Sequence, residues 1–156
     1  MTAFQLSNRD ARLAFLALQY HLARPGSELD PETRQPQEHG LNEVAMTLEP
    51  QLERAVATIE LSEYQVGRLI SAIAGAVNEL KTYPLMAAGG RTAVPAFDAA
   101  LGRLFPDVAD EPDEATQLAG HLVGLRRRLE SARASRAATA PAPNSRPRPW
   151  WRFWER

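Results

Sequence analysis

The run Leu61-Ser62-Glu63-Tyr64-Gln65-Val66-Gly67-Arg68-Leu69-Ile70-Ser71-Ala72-Ile73-Ala74-Gly75-Ala76-Val77-Asn78-Glu79-Leu80 holds the grammar of the whole 156-residue chain. Ser62 followed three residues later by Gln65 is a capping box. The hydroxyl accepts from the N3 amide while the glutamine side chain returns to the cap. Behind it, Val66, Leu69, Ile70, Ile73, Val77 and Leu80 recur at three- and four-residue spacing, which gathers them on one face of an α-helix. Gly67, Ser71 and Gly75 stand four apart on another side. A glycine costs about 1 kcal/mol against alanine inside a helix, so a closely packed neighbour is expected there. The chain's own core is the preferred neighbour, and a second copy in a homo-oligomer is the other.

Fifty-five residues upstream the pattern returns. Leu6-Ser7 matches Leu61-Ser62, and Ala11, Phe15, Leu18 and Leu22 align with Val66, Ile70, Ile73 and Val77. A duplicated helical hairpin produces such an echo, and so does the shared grammar of capped amphipathic helices, which is the simpler account. Ser7 and Asp10 approximate the same capping box.

Further helices are expected on either side. Over residues 36–59, Leu41, Val44, Leu48, Leu52, Ala55 and Ile59 keep helical phase across Pro50. A proline inside a helix costs roughly 3 kcal/mol, so the expectation is a kinked helix or two abutting ones. Pro95 suits a helix first turn, followed by Phe97, Leu101, Leu104 and Phe105. A last helix begins near Pro112 and carries Ala115, Leu118, Leu122, Leu125 and Leu129. Asp113 and Glu114 complement its dipole at the start, and Arg126, Arg127, Arg128 and Arg133 do so toward its end. Proline-containing stretches at 24–36, 84–95 and 106–112 separate these segments. No segment reads as a strictly alternating strand. The fold class is therefore all-α, an antiparallel bundle of four to five helices with a flexible Pro-rich C-terminal tail. Residues 1–136 form the helical domain, 137–149 a Pro/Ala-rich linker and 150–156 an aromatic-basic motif.

Composition narrows the function. The chain has no cysteine, which removes disulfide scaffolds, zinc-thiolate and iron–sulfur sites and thiol nucleophiles. No apolar run is long enough to span a membrane, and the first ten residues lack a signal-peptide core, so the cytoplasm is the expected compartment. The net charge of −1 hides a division: residues 1–125 hold nine basic against 17 acidic side chains, and residues 126–156 hold nine arginines against two glutamates. Such halves attract each other or present the basic end to an anionic partner.

Catalytic and metal chemistry find little footing. None of the histidines (His21, His39, His121) has a glutamate three residues before it, and His39 with Glu43 is the only approach to a ligand spacing. Neither Gly-x-Ser-x-Gly nor Ser-x-x-Lys occurs, and Gly89-Gly90-Arg91-Thr92 is too short for a phosphate loop. The chain is expected not to be an enzyme and to hold no cofactor or metal.

One stretch stands out. Trp150-Trp151-Arg152-Phe153-Trp154-Glu155-Arg156 contains all three tryptophans of the chain, beyond a spacer rich in proline. Each ring buries about 150–250 Å² when it docks, at roughly 25 cal/mol per Å². The expected function is a non-enzymatic interaction or adaptor module. Its tail docks a protein partner or a peripheral membrane surface through Trp150, Trp151, Arg152, Phe153 and Trp154, with Arg126, Arg127 and Arg128 as further contacts. The alternative is a small nucleic-acid-associated regulator using the arginine-rich last helix and tail, which the acidic body disfavours.

Overall fold

A computed structural model describes residues 1–30, 40–89 and 94–139, leaving out the side chains of Ala109 and Thr139. Gly90, Arg91 and Thr92, His39 and the whole segment 140–156, with its predicted docking residues, lie outside the described residues. Most of the described chain is helical: α1 (Asn8–Leu22), α2 (Leu41–Leu48), α3 (Glu63–Ala88), α4 (Pro95–Leu104), α5 (Pro106–Asp110) and α6 (Ala115–Thr139). Single 3-10 turns follow α2 at Glu49–Gln51 and precede α6 at Pro112–Glu114.

Two strands correct the all-α expectation. β1 (Thr2–Ser7) pairs antiparallel with β2 (Val56–Leu61), in a register that sets Thr2 opposite Leu61 and Phe4 opposite Ile59. Residues 56–61 are therefore no continuation of a helix through Pro50. The helix stops at Leu48, Pro50 sits in the 3-10 turn, and the chain then alternates, with Ala57, Ile59 and Leu61 buried and Val56, Thr58 and Glu60 exposed. The outer rim of β2 is occupied by a side chain. The amide of Gln51 donates to the Thr58 carbonyl at 3.1 Å and accepts from the Thr58 N–H at 3.0 Å, as a neighbouring strand would.

The 55-residue echo is real at the level of a strand and the start of its helix. Each strand feeds a serine cap: Ser7 accepts from the Asp10 amide, and Ser62 forms the full box with Gln65. An offset of 55 carries Phe4 onto Ile59, its own ladder partner, so exchanging the two copies coincides with the dyad of the strand pair. The copies then diverge. α1 ends at Leu22, whereas α3 runs through Pro84 to Ala88, past the loop start expected at that proline.

The core is a single cluster. Leu13, Leu16 and Leu18 of α1, Leu41 and Leu48 of α2, Leu69, Ile73 and Leu80 of α3, Phe97 of α4 and Leu122 of α6 are all closed to solvent. α3 packs along α6 and against α1, and α4 lies on α1. The small-residue ridge of α3 meets neighbours within the chain at its two glycines, while Ser71 is exposed. A Cβ on Gly75 would stand 2.4 Å from the Tyr20 ring of α1, and Gly67 faces Arg133 of α6. Tyr20 in turn meets Phe97 edge-on, with ring centroids 5.8 Å apart. No helix among the described residues is long and apolar enough to cross a membrane.

Candidate functional site

α6 distributes the arginines that the sequence offered as partner contacts. Its last core residue is Leu129, and residues 133–138 are exposed. Arg126 turns along its own helix to Glu130 at 2.7 Å. Arg128 reaches Asp10 in the first turn of α1. Further on, Arg133 approaches Glu63 at 3.6 Å and Arg136 donates to the Thr2 hydroxyl. Arg127 is exposed, and no acidic side chain among the described residues pairs with it. The basic end of the helix is thus tied to the body along most of its length. Exposed pairs of this kind contribute about 0–1 kcal/mol each, so they orient the helix more than they hold it.

Arg133 and Arg136 also edge a groove of about 230 Å³ between the end of α6, the start of α3 and β1, floored by Phe4, Val66 and Ala132. A larger open cleft of about 740 Å³ lies between the first turns of α1, α5 and the beginning of α6.

The most connected polar cluster was invisible in the sequence. Gly40, the residue before α2, has no side chain to cap that helix. Glu28 supplies the cap from across the loop: one carboxylate oxygen accepts from the Leu41 amide at 2.6 Å and the other from the Asn42 amide at 3.0 Å. A Cβ on residue 40 would come within 1.8 Å of that carboxylate, which accounts for glycine there. Arg68 of α3 lies 3.8 Å from Glu28, donates to the Tyr64 hydroxyl at 2.8 Å and donates to His21 Nε2 at 2.9 Å. A guanidinium has no acceptor, so Nε2 must accept and His21 is neutral with its proton on Nδ1. Among the described residues no buried side-chain polar atom lacks a partner. The cluster joins α1, α2 and α3, and its groups are committed to one another.

Burial holds His21 below the ordinary histidine value of about 6.5, and Arg68 and Arg24 push the same way against the opposing charge of Glu28. The unfolded chain therefore binds this proton more tightly than the folded one. The contribution of His21 to stability is complete above about pH 6.5 and is lost as the pH falls through the lower folded value. The expected result is an unfolding free energy that declines from pH 7.5 toward pH 5.5 less steeply in His21→Gln than in the parent. Urea unfolding across that range measures it, and parallel profiles would refute it.

Among the described residues no group of three or more His, Asp or Glu side chains is arranged to hold a metal ion. His121 is exposed on α6, and the His39–Glu43 spacing falls partly outside the described residues. No family model, curated protein or solved structure matches the chain.

Proposed function

We propose that this protein is a non-enzymatic interaction module, an antiparallel helical bundle that carries its C-terminal aromatic-basic segment as a docking element for a protein partner or a membrane surface. One observation supports this above the rest: residues 1–139 contain no tryptophan, and all three tryptophans lie in residues 150–154. Aromatic side chains flanked by Arg148, Arg152 and Arg156 have the composition of interface hot spots. The nucleic-acid alternative loses ground because Arg126, Arg128, Arg133 and Arg136 already face acceptors on the body.

Deleting residues 140–156 is expected to abolish recovery of a specific partner by affinity capture, or co-sedimentation with vesicles of mixed neutral and anionic lipid. Circular dichroism of the helical body should not change. Equal capture and equal co-sedimentation with and without the segment would reject the reading. Retention on single-stranded or duplex nucleic acid that collapses steeply with salt would replace it with the alternative.

A further inference from the structure

Helix α6 changes character where the smaller groove opens. Its buried seam runs Leu118, Leu122, Leu125, Leu129, and the next positions at the same three- and four-residue spacing are Ala132 and Arg136. The opposite wall keeps its large apolar groups, Phe4 of β1 and Val66 of α3. With leucine absent from the α6 side, a space of about 230 Å³ is left between them. Its apolar lining is accessible to a ligand: Phe4 and Ala132 are half-buried and Ala137 is exposed, while Val66 closes the bottom.

Two guanidinium groups stand over this floor. Arg133 and Arg136 are three residues apart, which sets them side by side on one face of α6. Neither is committed to a strong acceptor. Arg133 has Glu63 at 3.6 Å, beyond hydrogen-bond reach, and that carboxylate is 81% exposed. Arg136 donates to the Thr2 hydroxyl, a neutral acceptor, and among the described residues no carboxylate pairs with it. A carboxylate bound between the two would gain charge-assisted, bidentate contacts that a hydroxyl cannot offer.

We propose that this groove binds a small carboxylate with an apolar body, a single-chain fatty acid in its simplest form. The head bridges Arg133 and Arg136, and the chain lies on Phe4, Val66 and Ala132. The size agrees: a cavity of about 150 Å³ admits benzene, and drug-sized ligands occupy roughly 300 Å³ or more. A space of 230 Å³ therefore suits one short chain rather than the body of a peptide. The chain's own C-terminal segment is a poor occupant, because Arg146, Arg148, Arg152 and Arg156 carry the same sign as the rim. The site is separate from the docking role given to that segment and does not depend on it.

Titrating sodium octanoate into the full chain, below its micelle concentration, tests the proposal by heteronuclear NMR. Saturable shifts are expected at the amides of Phe4, Val66 and Ala132. Acetate shares the head without the chain, and octanol shares the chain without the charge. Each should bind at least about tenfold more weakly than octanoate. Arg136→Gln should weaken octanoate about tenfold, and R133Q/R136Q should abolish saturation. Arg136→Lys keeps the charge but not the planar fork, so it should fall between. Glu63→Gln removes the competing carboxylate and should tighten binding. Ala132→Phe fills the floor and should block octanoate with both arginines in place. Circular dichroism of each variant should match the parent, since every position changed is half-buried or exposed.

No saturable shift at these amides would overturn the proposal. So would acetate or octanol binding as tightly as octanoate, or octanoate affinity unchanged in R133Q/R136Q. Shifts confined to residues 140–156 would place the ligand on the C-terminal segment instead. Groove amides that move with protein concentration in the absence of ligand would give the groove to a second copy of the chain.

Discussion

Replacing Phe97 with alanine is expected to lower the unfolding free energy by about 3–5 kcal/mol, the usual cost of emptying a buried aromatic site. Phe97 is closed to solvent and is the largest anchor of α4, a ten-residue helix too short to persist alone in water. Its companions Ala100, Leu101 and Leu104 complete the buried face of α4. The cavity would open beneath Tyr20, whose ring stands at 80° to that of Phe97 and also closes over Gly75. The loss therefore reaches α3 through α1. Phe97→Leu keeps most of the volume and forfeits chiefly the edge-to-face contact, about 0.5–1.5 kcal/mol. Urea unfolding followed by circular dichroism separates the two variants, and a drop below about 1 kcal/mol for the alanine variant would contradict this packing.

Glu28→Ala comes next, at about 3 kcal/mol. A helix N-cap contributes about 0.5–2 kcal/mol, and hydrogen bonds to a charged group are worth more than neutral ones. The Glu28 side chain is 7% exposed, so its removal takes the carboxylate 3.8 Å from Arg68 out of a site that water reaches poorly. The amides of Leu41 and Asn42 lose their acceptor in the same step. Glu28→Gln keeps one oxygen and the shape, and should fall between the parent and the alanine variant. Hydrogen exchange at Leu41 and Asn42 gives a local readout: both amides should exchange faster in Glu28→Ala, and unchanged rates would remove the cap from the account.

Apart from α5, which occupies a stretch expected as a connector, the helices were legible because their signals are local. Ser62 with Gln65, Pro95 in the first turn of α4, and the acids before α6 each lie within a few residues of the boundary they mark. β2 was hidden by a coincidence of phase. Leu48, Leu52, Ala55 and Ile59 keep three- and four-residue spacing, while Ala57, Ile59 and Leu61 keep spacing of two, and Ile59 satisfies both. The longer pattern won the reading, although Ala55 proves exposed. β1 has only Thr2, Phe4 and Leu6 to declare its inner face, too few to separate from an irregular lead into α1.

The Glu28 cap lay beyond sequence reasoning for another reason. Its partners are 13 and 14 residues away, and nothing in a lone glutamate announces which helix it will serve. The acid-rich stretch at 106–114 was visible as charge. Only packing places four of its carboxylates around one open cleft.

Gln51 has a consequence for how copies of this chain meet one another. Its amide consumes the Thr58 peptide group that an incoming strand would need, so recruitment of further strands is blocked on the β2 flank. A ribbon stoppered on one flank cannot polymerise. Two molecules cannot therefore extend one sheet by joining their β2 edges at Thr58.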